Sequence, residues 1–127
     1  MKILRARDTA FTEIMPIYSL HPTILFGWYE GDYDNIKRSI ETVGLLNPLV
    51  VWQTTPQQWV EWRGNSPDLL PVPKYITELG YKTVYLVMCG NNRLQIAKDL
   101  GYDHVEVRRY TNTRDVSLEC NRQRKSW

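Results

Sequence analysis

Apolar positions in this chain fall into short runs whose period changes several times. Thr83-Val84-Tyr85-Leu86-Val87-Met88 is short, apolar and β-rich, and predicts a buried strand that Gly90 ends. From Asn92 to Leu100 the period lengthens: Leu94, Ala97 and Leu100 share one side with Ile96 beside them, which predicts a helix closed by Gly101. His104 to Tyr110 alternates Val105 and Val107 against Glu106 and Arg108, the pattern of a half-buried strand. Upstream, Ile36, Ile40 and Val43 form one stripe, so Asp34–Val43 reads as a helix. Asp32 or Asp34 can cap its start, and Gly44 stands where a left-handed C-terminal residue belongs. Leu49-Val50-Val51-Trp52 follows as a buried strand.

The ends and the middle are less regular. Residues 1–15 are weakly patterned, and Ile14 to Leu20 predicts a short edge strand interrupted by Pro16. His21-Pro22 reads as a turn, because the residue before proline avoids the helical region. Asn112 to Lys125 predicts a last helix, with Asn112 or Thr113 as its cap and Asp115 in its first turn. Residues 53–80 hold four prolines together with Trp59 and Trp62, and read as an inserted excursion with a short helix within Pro73 to Leu79.

Composition sets the scale. A chain of 127 residues fits one domain with a core of its own. The formal net charge is only +2, but residues 104–127 hold six Lys/Arg against three Asp/Glu, and residues 1–103 ten against eleven. That asymmetry favours an acidic or phosphate-bearing partner near the C-terminal end, with a solvated helix face as the plain alternative. Cys89 and Cys120 have neither zinc spacing nor the number for a disulfide framework, and read as free thiols of a cytoplasmic protein. No apolar run is long enough to cross a membrane.

The sharpest chemistry lies where the strand passes through Cys89-Gly90-Asn91-Asn92-Arg93 into a helix. A first helical turn leaves backbone N–H groups unpaired and carries partial positive charge. Glycine lets an anion approach the backbone, asparagines add amide donors, and arginine can offer a bidentate fork. The same residues also fit an ordinary cap and a surface arginine.

The order of elements resembles the ParB/sulfiredoxin superfamily, and above all the N-terminal domain of ParB-type partition proteins. The resemblance rests on Ser39-Ile40-Glu41-Thr42-Val43-Gly44, Leu45-Leu46-Asn47-Pro48-Leu49-Val50-Val51, Gly90-Asn91-Asn92-Arg93, Val105-Glu106-Val107-Arg108 and Leu118-Glu119-Cys120-Asn121-Arg122-Gln123-Arg124. It spans roughly residues 14–125. It implies an α+β fold: one domain with a small mixed sheet and packed helices.

It also implies functions. Gly90, Asn91, Asn92 and Arg93 would bind nucleotide phosphates, and Gly44, Leu45, Asn47 and Pro48 would border the base. Asn121 would ligate magnesium and Arg124 would touch a phosphate. The cofactor implied is magnesium with a nucleoside triphosphate, CTP or ATP. The hydrolytic carboxylate position holds Cys120, with Glu119 next to it as the candidate catalytic residue. A thiol is a poor magnesium ligand and a poor base for water.

The expected function is therefore recognition of nucleotide or DNA phosphates by a stand-alone ParB-like domain, of the kind phages and mobile elements carry. A metal-dependent nuclease or nucleotide hydrolase is the second expectation. A protein-interaction or inhibitor factor, contacting its partner through residues 53–80, is the third, and a homodimer stays open.

Overall fold

Sequence separation means little in this molecule: its first strand pairs with its last. A computed structural model describes residues 1–24 and 30–123. In chain order, β1 (Ile3–Leu4) and β2 (Glu13–Pro16) lead through a single 3-10 turn, Ile17–Ser19, into β3 (Leu20–Pro22). Then come α1 (Glu30–Val43), β4 (Leu49–Thr54), α2 (Pro56–Arg63), α3 (Lys74–Glu78) and β5 (Val84–Cys89). The chain continues with α4 (Asn91–Asp99), β6 (His104–Tyr110) and α5 (Thr113–Arg122).

The sheet order is β1-β6-β4-β5-β3, and β2 also pairs with β6. β4 runs antiparallel to β5 and parallel to β6, while β3 runs parallel to β5 and β1 parallel to β6. Both β1 and the antiparallel β2 pair with the start of β6, so they lie on its opposite edges. The alternation of side chains along each strand then divides the core. Leu49, Val51, Val87, Val105 and Val107 face one side and are covered by Ile36 and Ile40 of α1 and Leu94, Ile96 and Ala97 of α4. Val50, Trp52, Val84 and Leu86 face the other, under Trp59 of α2, Ile76 of α3 and Val116 of α5. The result is a single α+β domain with a mixed sheet covered by helices on both faces.

Most predicted elements are found near their expected places. Gly44 closes α1 with φ 77°, and its N–H donates to the Ile40 carbonyl at 3.0 Å. Asn112 caps α5, its side-chain oxygen accepting from Asp115 N at 2.8 Å. Three readings change. α1 begins at Glu30, so Asp32 and Asp34 lie inside the helix and not at its cap. His21-Pro22 is no turn but part of β3, because β5 offers it a parallel partner. Residues 53–80 are more regular than their prolines suggest. Pro56 sits at the start of α2, where its missing N–H costs nothing, and Thr55 caps that helix by accepting from Gln58 N at 3.2 Å. Trp59, 2% exposed, carries the insertion into the second core.

Candidate functional site

The strand-to-helix bend exists, and glycine is required there. Gly90 has φ 109°, and a Cβ built on it would lie 2.9 Å from both Arg93 Nη2 and Leu49 Cγ. The strain of positive φ and the crowding point the same way: no L-residue with a side chain fits. α4 opens directly after it, with no side-chain cap for its first turn.

The motif's side chains divide by partner. Asn91 serves the fold: its Oδ1 accepts from Thr23 N at 2.9 Å, and its Nδ2 donates to Val87 O at 3.1 Å and Thr23 Oγ1 at 3.2 Å. Thr23 Oγ1 donates in turn to Val87 O at 2.8 Å, so the chain following β3 is tied to the end of β5. Arg93 is neither a surface residue nor an open fork. It is 4% exposed, and Nη1 donates to Asn47 O at 2.9 Å while Nη2 donates to Gln123 Oε1 at 3.1 Å. Gln123 Nε2 also donates to Pro48 O at 3.1 Å. Burial pushes the Arg93 pKa below its usual value. Asn92 alone keeps a half-buried side chain with no hydrogen-bond partner among the described residues.

The turn at Asn47-Pro48 therefore does meet the Gly90 loop, but through Arg93, which stitches the two together. Gly44 instead lies beside the backbone of Arg5, and Leu45 is fully buried in the first core.

The last helix brings a charge network through Glu119 and Arg122. Glu119 accepts from Arg108 Nη1 at 2.6 Å, from Arg122 Nε at 2.9 Å and from Gln123 Nε2 at 2.9 Å. Arg108 and Arg122 also reach Asp8, at 3.1 and 3.5 Å. Arg109 pairs with Glu13 at 2.8 Å. The hydrogen bond from Arg122 foremost, with Gln123 and the charge of Arg108, holds the Glu119 pKa down at about 2. A carboxylate so stabilised as the anion has little affinity for a proton and is poorly suited to act as a general base.

Asn121 is exposed on α5. A magnesium ion would need Asn121 together with Glu119, whose oxygens already serve two guanidiniums and an amide, so the donor set does not fit a metal as it stands. Among the described residues no three His, Cys, Asp or Glu side chains gather as a metal site. Arg124 and Lys125 lie outside the described residues.

Sequence reasoning missed the role of Gln123 and the packing of Cys89 and Cys120 against the second core. The available signal was that each cysteine adjoins a motif, Cys89 next to Gly90 and Cys120 next to Glu119.

Two features lie apart from this cluster. Trp59 stacks obliquely on His21, their ring centroids 5.3 Å apart, and burial pushes the His21 pKa down. On the insertion, a groove of about 590 Å³ is lined by residues that include Val60, Ile76 and Tyr81, with Tyr75 packed edge-on against Tyr81 at 6.4 Å. Among the described residues no helix is long and apolar enough to cross a membrane. No family model and no curated protein matches this chain.

Proposed function

We propose that the domain recognises phosphate groups, of a nucleotide or of DNA, at the first turn of α4. The observation that carries this reading is the uncapped start of that helix beside the amide of Asn92, which has no partner among the described residues. Such a turn directs N–H groups and partial positive charge at whatever anion approaches. Arg93 has a supporting part only. Its guanidinium holds the Asn47-Pro48 turn against the loop and so shapes the approach to it. Turnover is not part of the proposal, since Glu119 is locked in ion pairs.

The test is thermal unfolding with CTP, ATP, GTP and a short DNA duplex, each with and without magnesium. A ligand that binds only the folded chain stabilises it by about 2.7 kcal/mol at a hundredfold excess over Kd. Asn92→Asp is the diagnostic variant. A carboxylate in the first turn favours the helix dipole, so the free protein should hold or gain stability while losing the ligand-induced shift. No shift with any ligand, or an equal shift in Asn92→Asp, rejects the reading.

A second reading, contact with a protein partner through residues 53–80, is favoured by one observation. Val60, Tyr75, Leu79 and Tyr81 are all exposed on or beside α2 and α3, Leu79 by 70%. Replacing Leu79 and Tyr81 by serine should leave the fold intact and abolish capture of such a partner.

A further inference from the structure

Two surface features that the fold does not need lie toward the same end of the sheet. The first is Phe11. It is the one non-glycine residue with positive φ among the described residues, at 55°, and it is 97% exposed. A left-handed backbone disfavours an aromatic residue, and an exposed ring forfeits its burial. The loop that carries it is nonetheless held in place. Ala10 N donates to Asp8 Oδ1 at 3.2 Å, and Ala10 O accepts from Arg108 Nε at 2.9 Å. Thr12 Oγ1 donates to Thr9 O at 3.1 Å and to the buried Glu106 carboxylate. The ring is thus presented on a fixed base, and a partner that takes it has little loop to order.

The second is the groove of about 590 Å³ between α2 and α3. Pro56, Val60, Ile76 and Tyr81 give it an apolar lining, to which Thr77 adds a hydroxyl and Lys82 a cation. Strand register relates the two features. β2 pairs antiparallel with β6, Glu13 opposite Val107, so Phe11 lies toward the end of β6. β4 runs parallel to β6, Trp52 opposite Tyr110, so Thr55 and Pro56 follow at that same end, and Lys82 leads there into β5.

We propose that two copies of this chain pair reciprocally, the Phe11 ring of each seated in the α2–α3 groove of the other. This names the partner of the surface at residues 53–80, and so rests on reading that surface as a protein contact. A bulky exposed ring and an apolar cleft with room for it complement each other in shape and chemistry. The charges beside them also match in sign. Asp8, next to the Phe11 loop, keeps its side chain 36% exposed, and Lys82 in the groove forms no ion pair among the described residues. A phosphate-bearing partner suits Phe11 less well, because the cations around its loop are already matched: Arg108 and Arg122 with Asp8, and Arg109 with Glu13. Since ring and groove share one end of the sheet, a two-fold axis can satisfy both contacts at once, which closes a dimer and leaves no open end to grow a filament.

Sedimentation velocity of the full chain over a concentration series is the test. The wild type should pass from one chain to two and no further. Phe11→Asn removes the ring and supplies a residue that accepts positive φ. It should stay monomeric, and its thermal midpoint should hold or rise when compared where the wild type is also monomeric. Val60→Asp places a charge in the groove at a position already 45% exposed, and should stay monomeric with its fold intact by circular dichroism. Neither variant pairs alone, yet an equal mixture should form a heterodimer, weaker than the wild-type dimer, because the ring of the Val60→Asp chain meets the open groove of the Phe11→Asn chain. A wild type that stays monomeric at millimolar concentration, growth beyond two chains, or a mixture that does not associate would each overturn the proposal. Pairing lost in Val60→Asp but kept in Phe11→Asn would overturn the Phe11 contact while upholding residues 53–80 as a protein-contact surface, so the two failures are told apart.

Discussion

At the scale of single residues, the candidate loop is held by two that look ligand-directed in sequence and turn out to be structural. Arg93 satisfies the Asn47 carbonyl and the Gln123 amide in a place water does not reach. Arg93→Met keeps much of the volume but removes both donors. It should destabilise the domain by roughly 2–4 kcal/mol, since buried hydrogen bonds from a charged group contribute about 1.5–3 kcal/mol each. The midpoint of urea unfolding reports this directly. Gly90→Ala must bear both a left-handed backbone and overlap with Leu49 and Arg93, and a loss of roughly 2–4 kcal/mol is expected by the same measurement. A loss under about 0.5 kcal/mol, the usual range for surface changes, would show that the bend relaxes freely.

At the scale of elements, the insertion has become part of the architecture. α2 and α3 supply Trp59 and Ile76 to the core that covers the second face of the sheet. Trp59→Ala should therefore cost about 3–5 kcal/mol, the ordinary penalty for emptying a large aromatic site. A near-neutral result would mean that the insertion merely rests on the sheet. α5 depends on its cap: Asn112→Ala removes the acceptor for Asp115 N and should cost about 1 kcal/mol. Because α5 carries Glu119 and Gln123 to the loop, fraying from that end should also loosen the Gln123–Arg93 hydrogen bond.

At the scale of the whole molecule, the Asp8–Arg108–Glu119–Arg122 network joins the N-terminal segment, β6 and α5. It makes stability depend on pH with a definite sign. The folded Glu119 pKa, about 2, lies below the ordinary value of 4.5, so the folded state binds its proton less readily than the unfolded state does. The stabilisation is complete above about 4.5 and is lost as pH falls toward 2. Glu119→Gln should flatten that acid limb of the unfolding midpoint while lowering stability at neutral pH, because Arg108 then lacks its buried counter-charge. An unchanged acid limb would assign the pH dependence to other carboxylates.

Local order was written in the sequence. Strands at Val84–Cys89 and His104–Tyr110, the helices beside them and the Gly44 cap follow from periodicity and end signals, which depend on near neighbours along the chain, whereas the α+β class came from the order of motifs that carries the family resemblance. Tertiary structure alone decided which side chains of Gly90-Asn91-Asn92-Arg93 are spent on the fold, because their partners Thr23, Asn47 and Gln123 lie far away in sequence. It also decided the burial of Trp59 and the packing of Cys89 and Cys120 against the second core. Periodicity says which face of an element is apolar, but not which other element will cover it.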